Sequence, residues 1–206
     1  IMRGNSNWTA LWLHDIQKAL DIAQEGPPKA PDRLLTLDPT PTAAKEWAYA
    51  FCKYWPDKAL AFDIETPYGE KDNEDTDAPS TINRIGFAYR ADHRTRALSI
   101  PFGAGYLQVV QLLLNTNATR VVWNRHFDVP RLRLHNFLLT GPIHDAQEMW
   151  HVLYPDLPKK LEVAGSVLVP GQPYWKDQSY SKPAYYNAVD ACVTVEGYER
   201  LYGVAS

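Results

Sequence analysis

Apolar and polar positions alternate with two periods along this chain. Trp8, Leu11, Trp12, Ile16, Ala19, Leu20 and Ala23 recur at helical spacing, with Asp15, Lys18 and Asp21 opposite, so residues 8–24 read as an amphipathic helix. Such a helix either packs on the core or offers its apolar face to a partner. Gly26, Pro27, Pro28 and Pro31 stop it and mark a linker. Thr40 followed by Pro41 signals the start of a second helix, running through Trp47, Phe51 and Tyr54. A strand follows at 59–66, then a polar stretch at 67–82 that reads as a solvated loop. Ile85, Phe87 and Tyr89 alternate, as do Leu98 and Ile100, which predicts two strands joined at 91–95. With 59–66 they form a three-strand antiparallel meander. Beyond it lie a helix (about 105–115), a strand (120–123), and helices from about His126, from Asp145 as cap to Tyr154, around 157–168 and at 182–202. Strands followed by alternating helices and strands define an α/β fold with a mixed sheet. Residues 1–33 read as an appended helix and Pro-rich linker, and 34–206 as the main domain.

The strand at 59–66 carries the first chemistry. Side chains alternate across a strand, so Leu60, Phe62 and Ile64 point one way and Ala61, Asp63 and Glu65 the other. Two carboxylates on one face of a sheet are costly unless compensated, and they suit a hard, oxygen-seeking cation such as Mg²⁺ or Mn²⁺. Asp128 lies where the 120–123 strand hands over to a helix, which makes it either a third acid of the site or a first-turn capping residue. Tyr186 and Asp190 stand four apart on the last helix and can reach one point; alternatively they are a half-buried ring and an exposed acid. Asp72 and Glu74 repeat the first spacing, but the polar loop gives them no apolar frame.

Composition narrows the classes. The chain has 206 residues, 45% hydrophobic and 22% charged, with net charge −3, so it is no basic coat for nucleic acid. No stretch approaches the ~20 apolar residues of a membrane span. Absence of a signal-peptide pattern, with Cys52 and Cys192 read as free thiols, points to the cytoplasm. No phosphate-binding glycine loop, Gly-x-Ser-x-Gly elbow or Cys-x-x-Cys pair occurs.

Three stretches, Phe62-Asp63-Ile64-Glu65-Thr66, Asn124-Arg125-His126-Phe127-Asp128 and Tyr186-Asn187-Ala188-Val189-Asp190, occur in an order and separation that resembles the DEDDy 3′–5′ exonucleases. The likeness is greatest to the proofreading exonuclease domain of family A DNA polymerases and covers about 58–202. It implies a ribonuclease-H-like mixed sheet flanked by helices, and two divalent cations. Asp63 would bridge both, Glu65 and Asp190 would hold the one that activates water, Asp128 would serve the second, and Tyr186 would orient the water. The implied reaction is hydrolysis of DNA from single-stranded 3′ ends to nucleoside 5′-monophosphates, with a polymerase domain or subunit as a possible partner. An RNase D-like exoribonuclease shares the five residue types; the Asn-x-x-Phe-Asp form at 124–128 favours DNA. A binding module that kept the fold without turnover is the other alternative. Thr66, Asn124, Arg125, Phe127 and Trp175 are candidate substrate contacts, with His126, Arg131 and Lys176 as nearby cations and Trp175 equally readable as core. Arg90, His93, Arg94 and Arg96 form a basic hairpin tip, readable as a nucleic-acid contact or a solvated turn.

Overall fold

A computed structural model describes residues 7–67 and 81–205, so most of the 67–82 loop lies outside the described residues. In chain order the elements are α1 (Asn7–Glu25), β1 (Arg33–Leu37), α2 (Pro41–Tyr54), β2 (Leu60–Glu65), β3 (Arg84–Ala91), β4 (Arg94–Pro101), α3 (Leu107–Leu114), β5 (Arg120–Val122), α4 (Arg125–Leu134), β6 (Ile143–Asp145), α5 (Ala146–Leu153), α6 (Leu161–Leu168) and α7 (Pro183–Ala205). A 3₁₀ turn at Lys176–Gln178 precedes α7. Thr40 caps α2 as its sequence signals, its hydroxyl accepting from the Ala43 amide at 3.3 Å.

The described strands form one mixed sheet in the order β1-β4-β3-β2-β5-β6. The meander is present: β2, β3 and β4 pair antiparallel, with Phe62 opposite Phe87 and Phe87 opposite Leu98. β5 joins β2 in parallel. Two strands were not expected. β1 lies parallel to β4 within the stretch that follows the linker, and β6 lies parallel to β5. Both are edges, five and three residues long, too short for a clear period-two pattern.

The two sheet faces differ in kind. Leu60, Phe62, Ile64, Ile85, Phe87, Leu98 and Ile100 form a thick apolar layer against α2, α3 and α4. The opposite face presents Ala61, Ala88, Ala97 and Val121 to α7, α6 and Trp150. Small side chains there let α7 lie close to the strands. Gly86 extends that surface: it pairs with Asp63 on one side and Ser99 on the other, and a β-carbon on it would lie 2.7 Å from Asn187 Oδ1 and 2.9 Å from the Asn187 carbonyl. Gly86→Ala therefore pushes α7 outward. Overpacking of this kind costs about 1–3 kcal/mol, and the expected result is a lower thermal midpoint in a thermal unfolding measurement.

Helix α1 forms, but it does not pack as a core helix. Leu11 is buried, whereas Trp12, Ile16 and Leu20 of the same apolar set are exposed. Among the described residues, no helix is long and apolar enough to cross a membrane.

Candidate active site

Asp63 and Glu65 emerge on the α7 side of β2, as their alternation requires. Asp190 comes down from α7 to meet them. One carboxylate oxygen from each of the three lies within 4.8 Å of the other two. Asp128, in the first turn of α4, is buried at 2% exposure and lies beside them, its Oδ1 accepting from the Ile64 amide at 3.0 Å. That bond is to the β2 backbone, not to its own helix, so Asp128 does not cap α4.

Electrostatics follow from this crowding. Burial, then Glu65 and Asp190, raise the Asp63 carboxyl well above the ordinary carboxylate range. Burial and then Asp190 push Glu65 up to about 7. Burial and then Asp63 raise Asp128 well above its usual value. Acids so placed resist full ionisation together, and a bound cation removes the conflict. Three convergent oxygens, on half-buried Asp63 and Glu65 and buried Asp190, are the donor set that Mg²⁺ or Mn²⁺ prefers, so these residues fit such an ion.

Asn187, in the third motif, holds the helix to the sheet. Its Nδ2 donates to the Asp63 carbonyl (3.0 Å) and to Asp63 Oδ2 (2.9 Å), and its Oδ1 accepts from Ser99 Oγ at 2.7 Å. A buried amide thus fixes α7 against β2 and β4. Asp145 does a similar job at the next crossover. Its carboxylate accepts from the Asn124 and Arg125 amides at 3.2 and 2.7 Å and caps α5 at Gln147 and Glu148.

The other expected residues divide. Tyr186 and Thr66 line a cavity of about 470 Å³ beside Glu65, with Asn83, Arg84, Ser179 and Tyr180. Trp175 is no stacking platform: it is 2% exposed, and its indole N–H donates to Asp190 Oδ1 at 2.6 Å. Lys176 is not a groove cation but a partner of the acids, its ammonium 2.8 Å from both Asp190 carboxylate oxygens. Asn124 takes a left-handed backbone, φ 73°, which asparagine tolerates better than most residues and which turns β5 into α4. Arg125 reaches toward Glu148 at 3.6 Å. Phe127 packs on the apolar core with the Arg131 guanidinium 3.6 Å above its ring centroid. The basic hairpin tip is excluded from the site by register. Glu65 pairs with Arg84 and Leu60 with Tyr89, so the β3–β4 turn lies at the opposite end of the sheet from the acids. Arg90 and Arg94 there pair with Glu199 and Asp32.

Sheet order defines a ribonuclease-H-like fold, a mixed sheet flanked by helices. Solved structures agree on the fold. The chain is similar to the apo form of a nuclease (17% identity, TM-score 0.56, 84% of this chain and 81% of that one). It is also similar to the RNase domain of the yeast Pop2 protein (10%, 0.56, 83% and 86%). A third similar structure is Brucella melitensis NrnC with bound Mg²⁺ (16%, 0.50, 84% and 80%). No protein-family model and no curated protein matches the sequence significantly.

Proposed function

We propose that this protein is a divalent-cation-dependent 3′–5′ exonuclease acting on single-stranded ends. The observation that carries it is the convergence of Asp63, Glu65 and Asp190 on one point, with buried Asp128 beside them and Tyr186 at the cavity edge. Similarity to the apo form of a nuclease and to a structure solved with bound Mg²⁺ supports this reading. Asp63, Glu65 and Asp190 would hold one cation, and Asp63 with Asp128 a second. Bound cations supply a nucleophile near neutral pH and offset the charge that builds on the phosphate.

Tyr186 positions rather than takes up protons. Burial and then Asp190 raise its pKa above that of an ordinary tyrosine, so it stays protonated at neutral pH. Its oxygen accepts from Lys176 Nζ at 3.0 Å. Its own O–H acts on the Asp190 carboxylate, and would turn to a water or a phosphate oxygen once a cation takes up that carboxylate. The four acids and this tyrosine argue for turnover over a binding module.

Substrate sugar is open to two readings. The 124–128 motif favours DNA; in it Asn124 turns the backbone and Phe127 packs under Arg131. Similarity to the Pop2 RNase domain favours RNA. Matched DNA and RNA oligonucleotides, labelled at either end, decide it. With Mg²⁺ or Mn²⁺ the 5′-labelled strand is expected to give a descending ladder and the 3′-labelled strand a mononucleotide, and with chelator neither. Unchanged cleavage after confirmed metal removal refutes the proposal. Association with a polymerase domain or subunit is a separate proposal, tested by co-purification.

A further inference from the structure

Asp190 already has a cation. Lys176 Nζ lies 2.8 Å from each of its carboxylate oxygens and 3.0 Å from the Tyr186 hydroxyl. This is no surface pair: the two side chains are 19% and 4% exposed. The lysine is also anchored. Its neighbour Trp175 is buried and bonded to the same carboxylate, and the ammonium lies 4.7 Å from the Tyr186 ring centroid. Yet Asp190 is one of the three acids whose oxygens converge within 4.8 Å. An ammonium donating to both of its oxygens meets the same electrostatic need as a divalent ion there.

We propose that Lys176 is a built-in counter-ion that competes with the divalent cation for Asp190. It holds Asp190 and Tyr186 in register before the cation arrives, and it lowers the affinity with which that cation is taken up. Filling the site then requires the ammonium to release at least one Asp190 oxygen. This inference rests on the nuclease reading, because it assigns a cation to these acids. A purely structural ion pair behaves differently: its loss destabilises the protein to the same extent with and without cation.

Mn²⁺ titrated calorimetrically into the metal-free protein, alongside thermal unfolding at zero and saturating Mn²⁺, separates these cases. Removing a half-buried positive charge from beside the acids is expected to tighten Mn²⁺ binding about tenfold or more in Lys176→Met. The same variant unfolds at a lower temperature than wild type without Mn²⁺, and the gap narrows at saturation. Lys176→Arg keeps the charge, so its affinity is expected to stay within about threefold of wild type. A Lys176→Met protein that folds only when Mn²⁺ is added also supports the proposal. It is overturned if wild type binds Mn²⁺ and Lys176→Met binds it equally or more weakly. It is also overturned if the variant stays unfolded in saturating Mn²⁺. Wild-type protein that takes up no Mn²⁺ refutes the nuclease reading itself, a distinct result.

Discussion

Asp63→Ala is expected to lower nuclease turnover by about 10³-fold or more, the scale seen when a member of a catalytic unit is removed. Asp63 stands at the centre of the cluster. It shares one face of β2 with Glu65, its oxygen lies within 4.8 Å of one from each of Glu65 and Asp190, and its charge bears on Asp128. It is also the acid tied to α7, through Asn187. Removing its carboxylate takes away a proposed cation ligand and one of the bonds that set the distance between β2 and α7. Mn²⁺ binding and turnover should therefore fall together. Tyr186→Phe is the contrast: it keeps every acid, so Mn²⁺ affinity persists while turnover drops. Single-turnover cleavage combined with Mn²⁺ calorimetry measures both. Wild-type turnover in Asp63→Ala would sink the site assignment, and wild-type turnover in Tyr186→Phe would sink the role given to the tyrosine.

The largest expected loss of stability lies away from the acids. Glu196 sits on α7 at 6% exposure, its carboxylate bound by Arg33 Nε at 2.9 Å and Nη2 at 2.5 Å and by the Thr95 hydroxyl at 2.6 Å. Arg33 begins β1, so this pair joins the edge strand to the helix that carries Asp190. Arg33→Met leaves a buried carboxylate without its cation. Breaking a buried pair from one side costs about 3–5 kcal/mol, and a domain of this size then loses on the order of 10 °C in midpoint. Replacing both partners by methionine removes the stranded charge and should recover most of that loss. Thermal unfolding of the single and double variants tests it; equal midpoints for wild type and Arg33→Met would show that the pair contributes nothing. Activity of the folded fraction is expected to persist, because Arg33 touches none of the acids.

Much of the site is legible in the sequence. Alternation along 60–65 placed Asp63 and Glu65 on one face, and the helix holding Tyr186 and Asp190 followed from its apolar neighbours. What stayed hidden involved pairs far apart in the chain. Trp175 reads as a stacking residue or as core with equal ease, because a tryptophan after Pro-Tyr carries no period. Lys176 looked like a groove cation, because its charge says nothing about which acid faces it. The basic hairpin reads as a nucleic-acid contact or as a solvated turn, and only strand register puts it at the end of the sheet away from the acids.

Local periodicity therefore determined the helices and strands β2 to β5, since that pattern depends only on neighbours a few positions away; the edge strands β1 and β6 are too short to carry it. Only the folded chain decided what each face meets. The alanine and glycine surface draws α7 close, Asn187 spans 124 positions to hold Asp63, and Lys176 fills the coordination of Asp190. Such contacts join side chains whose separation along the chain carries no periodic signal, so they exist only once the sheet has assembled.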